Sequence, residues 1–379
     1  MMGRRTFLGL AGAYAAHGGP VPATKRLRVV QWGMLHDHAI VKYRTLKKLT
    51  DEFELAGIVD DRASKSPHEG HDCSAFGGER ILSPAGVWAD RSIRGVFVEV
   101  PNDDLLDVAW QCARHGLAIH LEKPGGEDHS AYVALMDHCR TRGIPVQMGY
   151  MFRTNPAVGF VTRAVREGWL GELISVEADM SHDYGGPGYS AYMAAFRGGL
   201  MYNLGCHLVD FILPMMPGLP LRAHVVRLPT PGDEGNPGTN CVSVLEWPHA
   251  TVTLRTARRA ACSVRGLRVQ GTKGAIDLRP LERFDGRPLT LELRLKESAG
   301  GYAKGSHVVD CGVQTDRFAE QLRLFAQIVR GDRPNPPGQY AHDVDVHKVT
   351  LMACGMDLNT ETKGGPQWCA KQSSAELAN

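Results

Sequence analysis

Leu117-Ala118-Ile119-His120-Leu121-Glu122-Lys123-Pro124-Gly125-Gly126 is the stretch that decides how this chain reads. An apolar run follows an amphipathic helix ending at Gly116 and passes straight into glutamate, lysine and proline. That is the pattern of a buried parallel strand delivering a lysine. Open α/β sheets place their ligands at the carboxyl ends of such strands, and a following proline fixes the backbone there. A surface lysine after a strand would give the same tripeptide, so the context has to decide.

Upstream, strand and helix alternate. Leu27 to Trp32 predicts a strand ending at Gly33, and Ala39 to Leu49 carries Ile40, Tyr43, Leu46 and Leu49 at helical spacing. Phe53 to Val59 is a second strand closed by Asp60 and Asp61, and Gly95 to Val100 a third, broken by Pro101 and Asn102. A helix over Asp104 to His115, the strand before Lys123, a helix over Tyr132 to Cys139 and a strand over Ile144 to Met148 complete the series. Elements alternating in this way imply a doubly wound parallel sheet, a Rossmann arrangement over residues 25–150.

In such a sheet the first turn holds a dinucleotide, through glycines that allow the tight turn and close approach of the pyrophosphate. Here it reads Gly33-Met34-Leu35-His36-Asp37-His38, with Leu35 and His38 in the places of the second and third glycines. Asp60 ends the second strand at the distance expected of a carboxylate that accepts from ribose hydroxyls, which favours NAD over NADP. Asp37 would sit badly beside a pyrophosphate, though it could cap the helix. His36 and His38 could ligate a metal only with partners from elsewhere, and no second cluster is spaced to supply them, so no metal is expected.

Composition sets the outer bounds. The chain has 379 residues, room for two domains, and 43 basic against 41 acidic residues, a balance that gives no reason to expect a nucleic-acid or membrane-surface partner. Its nine cysteines include no C-x-x-C pair, so neither a zinc site nor a disulfide framework is implied. Residues 1–24 contain Arg4 and Arg5 before a mildly apolar stretch too short to span a bilayer, similar to a twin-arginine export signal. Export is expected if that signal acts, a cytoplasmic location if it does not.

The second half reads as an α+β domain over 151–360, with a flexible tail at 361–379. Leu173 to Met180, His224 to Arg227, Thr239 to Trp247, Thr251 to Arg255, Leu267 to Val269 and Leu289 to Leu295 predict strands of a large, open, mainly antiparallel sheet. The glycine-rich stretch Asp179 to Leu200 is expected to be a mobile substrate loop, and Phe318 to Val329 a helix that closes this domain. Asn203, His207 and Asp210 fall at i, i+4 and i+7 and would share one helix face, as a pocket-lining stripe or as a self-satisfied core histidine.

Taken in order, the strand at Leu27, Pro101-Asn102, Glu122-Lys123-Pro124, Gly168 to Gly171, Gly198-Gly199 and the Asn203 to Asp210 segment make the chain resemble the Gfo/Idh/MocA oxidoreductases. The resemblance covers residues from Leu27 to about Leu358. It implies a nicotinamide cofactor, NAD before NADP, touched by Gly33, Leu35, His36, Asp60, Pro101, Asn102, Glu122 and Lys123. It implies that Lys123 acts on the reacting hydroxyl and that His207 is the acid–base group, with Asn203 where the family usually has aspartate. Leu105 departs likewise, where the family often has histidine. Arg153, Tyr184, Asn203 and His207 are the expected substrate contacts, and the open sheet the expected homo-oligomer interface. The implied reaction is hydride transfer with a secondary alcohol of a sugar, polyol or glycoside. Two alternatives stand beside it: an exported glycosidase using tightly held NAD in an oxidation, elimination, hydration and reduction cycle, and a non-catalytic carbohydrate-binding or scaffold relative.

Overall fold

A computed structural model describes residues 26–356 apart from positions 71 and 337, so the signal expected at 1–24 and the tail at 361–379 lie outside the described residues. Chain order in the first half is β1 (Leu27–Trp32), α1 (Ala39–Lys48), β2 (Phe53–Val59), β3 (Ile81–Leu82), α2 (Pro84–Ala89), β4 (Gly95–Val98), α3 (Leu105–Arg114), β5 (Ala118–Leu121), α4 (His129–Arg142) and β6 (Val146–Met148). The strands form one sheet in the order β3-β2-β1-β4-β5-β6, every pairing parallel. The order reverses between β1 and β4, and the crevice above that switch point is where this architecture binds ligands. β4 and β5 are buried at every position, as expected of strands covered by helices on both faces. Local signals fix the helix ends: Ser83 and Asp128 accept from the first turns of α2 and α4, and Gly143 closes α4 in the left-handed region.

The second half contains α5 (Pro156–Arg166), β7 (Leu173–Ser181), α6 (Pro187–Ala195), α7 (Cys206–Ile212), β8 (Arg222–Leu228), β9 (Asn240–Glu246), β10 (Thr251–Ala257), β11 (Val264–Gly271), β12 (Gly274–Leu278), β13 (Thr290–Leu295), β14 (Gly305–Asp310), α8 (Ala319–Arg330) and α9 (Gln339–Ala353). Its eight strands run β14-β13-β12-β11-β7-β10-β9-β8, antiparallel except for β7 beside β10. Burial alternates along β9, β10 and β13, so one face is packed and the other is open. The fold class expected from the sequence is the one observed.

Three expectations differ in detail. The first sheet has a sixth strand, β3, two residues long and so without readable periodicity. The expected loop at Asp179 to Leu200 contains helix α6, whose Tyr189, Tyr192 and Met193 are buried. Glycines suggested a loop, but aromatic burial organises it. Helix α8 covers the first sheet rather than closing the second domain: Phe325 lies edge-on to Phe97 with ring centroids 5.3 Å apart. The chain therefore returns to its first domain at the end, with α9 packed against α4 and α7.

Candidate active site

Lys123 leaves the end of β5 fully buried, and its ammonium crosses to the second half, donating to Asn203 Oδ1 at 2.8 Å and to the Asn203 carbonyl at 3.0 Å. Asn203 lies in a π-helical turn, Met201–Gly205, that leads into α7. Such turns rotate side chains off regular helical register and recur at functional sites. His207 is buried, with Tyr150 and Phe152 edge-on to its ring at 5.7 Å each, and its Nδ1 has no hydrogen-bond partner among the described residues. Burial, helped by the Lys123 charge, holds this imidazole well below its ordinary range, so it is a neutral acceptor at neutral pH.

Asp210, the third member of the expected stripe, is turned to other work. It accepts from Arg153 Nε at 2.9 Å and lies 3.2 Å from His342 Nε2, while Arg153 Nη2 also reaches Asp343 at 2.6 Å. Arg153, expected as a substrate contact, is thus committed to two buried carboxylates. Tyr184 stacks on His182 with ring centroids 3.7 Å apart, and its exposed ring carries a hydroxyl 3.3 Å from Arg265. From α6, Tyr192 accepts from Asn102 Nδ2 at 3.1 Å, so the residue after Pro101 ties the first sheet to the helix over the site.

Beneath Lys123 lies a polar cluster whose centre, Lys42, Glu99, His120 and Glu122, is fully buried. Lys42, on α1, directs its ammonium to Glu122, to His120 Nε2 at 2.7 Å and toward Glu99 Oε1 at 3.2 Å, the last without hydrogen-bond alignment. Glu122 also accepts the Lys123 backbone N–H at 3.0 Å and lies 3.2 Å from His38 Nδ1. His120 Nδ1 meets Gln147 Oε1 at 2.8 Å, and Gln147 donates to the Gln321 carbonyl at 3.1 Å on α8. The Lys42 charge and the His38 hydrogen bond hold Glu122 well below the carboxylate range against its burial, whereas burial pushes Glu99 up to about 8. A Cβ on Gly149 would come within 2.9 Å of the Glu122 carboxylate, so glycine there keeps its place open. Sequence reasoning missed Lys42, Glu99 and His120. The available signal was a lysine on the inner face of a helix, between Ala39 and Leu46.

His36, His38 and Glu122 converge as a metal site might require, the third partner coming from β5. The donor set does not fit. His36 Nδ1 accepts the His38 backbone N–H at 3.1 Å, so the neutral ring carries its proton on Nε2, the atom facing Glu122. Neither nitrogen then offers a lone pair to a cation.

At the first turn, Gly33 adopts φ +106°, and a Cβ there would meet the Glu99 carbonyl oxygen at 2.4 Å. Met34 N–H donates to Asp61 Oδ1 at 2.8 Å, Leu35 is buried, and burial pushes Asp61 up to about 6. Asp60 pairs with Arg62 at 2.6 Å. A cavity of about 620 Å³ opens at the ends of β1, β2 and β4, lined by Trp32, Asp60, Asp61, Val100, Asp104 and Val108 among others. Apolar walls with carboxylates at the mouth fit an adenosine, whose ribose hydroxyls need acceptors.

Residues 160–277 match the GFO/IDH/MocA C-terminal domain. A D-xylose 1-dehydrogenase (NADP(+)) from Haloferax volcanii is 24% identical over 288 residues, covering 75% of this chain and 84% of the relative. The UDP-N-acetylglucosamine 3-dehydrogenase of Acidithiobacillus ferrooxidans superposes with a TM-score of 0.69 at 17% identity, over 88% of this chain and 98% of that one. A 3-ketoreductase from Actinomadura kijaniata, solved with NADP and TDP-benzene, superposes with a TM-score of 0.68 at 18% identity, over 86% and 96% of the two chains. The domain match thus covers part of the second half, and the solved structures share the fold of both halves.

Proposed function

We propose that the chain is a nicotinamide-dependent oxidoreductase acting on a secondary alcohol of a sugar, polyol or glycoside. The observation that carries this reading is the buried Lys123 ammonium held on Asn203, which joins one motif from each half at a single point. When bound, the nicotinamide supplies the hydride acceptor. The cavity residues Trp32, Asp60, Asp104 and Val108 would hold the adenosine end, and their carboxylates favour NAD over a cofactor with an added phosphate.

Lys123 presents a cation to the substrate hydroxyl and lowers its pKa, with Asn203 fixing the ammonium without neutralising it. His207, neutral and unpartnered at Nδ1, takes the hydroxyl proton. Tyr184 offers its exposed ring to an apolar sugar face. Small-molecule alcohols are thus the partners, the open face of the second sheet suits a homo-oligomer, and the twin-arginine-like segment would direct export. The relatives carry the names of dehydrogenases and a reductase, which favours net hydride transfer over a glycosidase cycle or a sugar-binding scaffold.

The test is to denature the purified chain, look for released nucleotide by mass spectrometry, and then measure the near-ultraviolet absorbance of reduced nicotinamide across a panel of sugars and polyols. Turnover by the wild type that is lost in Lys123→Ala, with nucleotide-induced thermal stabilisation retained, supports the reading. Absence of both bound nucleotide and stabilisation overturns it.

A further inference from the structure

The place of the third fingerprint glycine is filled by His38, and this ring has the wiring of an acid–base group. Its Nδ1 lies 3.2 Å from both oxygens of Glu122, so Nδ1 carries the proton and points at a carboxylate. The opposite nitrogen, Nε2, keeps its lone pair and makes no hydrogen bond among the described residues. This side chain is 20% exposed, whereas Glu122 and His36 are fully buried. The carboxylate that orients it is itself fixed by Lys42 and by the Lys123 backbone N–H, which donates to the same oxygen that faces His38. A carboxylate holding an imidazole in one tautomer with its other nitrogen basic is the arrangement that general bases use.

The need for such a group arises from His207, on the reading of the site as an alcohol oxidoreductase. A proton left on that buried ring, in a cage of Tyr150 and Phe152, finds no hydrogen-bond partner at Nδ1 among the described residues. It must leave before the next turnover.

We propose that His38, oriented by Glu122, is a second proton-transfer group of the site, exchanging a proton with solvent at Nε2. In the oxidation direction the substrate O–H bond gives its proton to His207, and a nicotinamide, when bound, would supply the acceptor for the hydride. His207 must then shed that proton, and His38 offers a neutral acceptor nitrogen on a side chain exposed enough to exchange with bulk water. No further oxidant or reductant is required. The charged and titratable groups acting on His38 are Glu122 and Lys123 just after β5, Lys42 from α1 and His36 from the turn, with His120 and His207 within electrostatic reach and the Phe318 ring 5.4 Å away at the head of α8. Burial pulls the imidazole below its ordinary value and Glu122 opposes this, so the ring is neutral and receptive at neutral pH.

The test has a readout that does not depend on turnover. In the full chain with ¹⁵N-labelled histidine, long-range ¹⁵N–¹H spectra assigned with His38→Asn should show His38 protonated at Nδ1 and unprotonated at Nε2, and Glu122→Gln should abolish that preference. An Nε2-protonated His38 overturns the proposal whether or not an alcohol is turned over. If the wild type oxidises no alcohol, the functional reading fails and the tautomer still decides the dyad. With an active wild type, His38→Asn should lower kcat by about tenfold or more while leaving nucleotide affinity within about twofold, and added imidazole should restore part of the loss in His38→Ala. Wild-type kcat and pH profile in both variants would overturn it.

Discussion

Glu99→Gln is a substitution whose effect should change with pH in a direction that few buried carboxylates share. Glu99 ends just beyond β4, fully buried, with Lys42 3.2 Å from one oxygen and His36 Nδ1 3.9 Å from the other. Burial pushes it up to about 8, the Lys42 charge opposes this, and the neighbouring Glu122 charge reinforces it. The folded protein therefore binds this proton more tightly than the unfolded chain, where a glutamate titrates near 4.3. The corresponding stability is fully present below that value and is lost as pH rises through about 8. The slope is about 1.4 kcal/mol per pH unit, which amounts to an order of 3 kcal/mol between pH 5 and 7.5. Glutamine keeps the shape and cannot ionise, so it escapes the loss. Urea unfolding monitored by tryptophan fluorescence, at matched ionic strength, should show the variant gaining on wild type by about that amount over the interval. Glu122→Gln, which strips Lys42 of its ionised partner, should instead cost roughly 3–5 kcal/mol at neutral pH. A Glu99→Gln difference that is flat, or that worsens as pH rises, would refute the reasoning, because it would mean that Glu99 is ionised and paired with Lys42.

Other substitutions test the remaining parts. Arg153→Ala leaves Asp210 and Asp343 buried without their cation and should cost roughly 3–5 kcal/mol in the same unfolding experiment; a loss under about 1 kcal/mol would show that the triad is not a structural tie. Gly33→Ala combines a left-handed φ with a contact to the Glu99 carbonyl, and should lower stability by at least about 1–3 kcal/mol and weaken nucleotide binding, read by calorimetry. Asp60→Ser removes one carboxylate from the cavity and releases Arg62, so the ratio of NAD to NADP affinity should move toward NADP by about tenfold or more; an unchanged ratio would place the ribose elsewhere.

Much of the fold was legible because period and length agree with it. The runs at Leu27 to Trp32 and Phe53 to Val59 emerged with the bounds read from them, since a short β-branched run between a turn and a helix has few other solutions. The misses have equally local causes. β3 is too short to show alternation, α5 opens on Pro156, which reads as a turn residue as readily as a helix start, and α9 begins directly after Gly338. Helix α8 could not be placed from sequence, because an amphipathic pattern says that a face is buried and not which sheet buries it. That placement is tertiary information, carried by Phe325 against Phe97.

The site divides along the same line. Lys123, Asn203 and His207 could be named in advance because each sits in a motif with a turn or helix to define it, and the structure puts the first two in contact across 80 residues of chain. The residues that set their electrostatics could not. Lys42 reads as an ordinary polar position of α1, and His120 as an interruption in an apolar strand, until β5 is laid beside β4 and the helix above them. A buried lysine needs acceptors, and Glu99, Glu122 and His120 come from the ends of two adjacent strands. The parallel register that pairs Val98 with Leu121 brings both glutamate side chains to one ammonium, the ionised Glu122 as its partner and Glu99 beside it. The motif residues are written into local sequence, whereas the charges around them belong to strand order, so a chain can keep the Glu-Lys-Pro motif and still change its electrostatics by altering one inward position on α1.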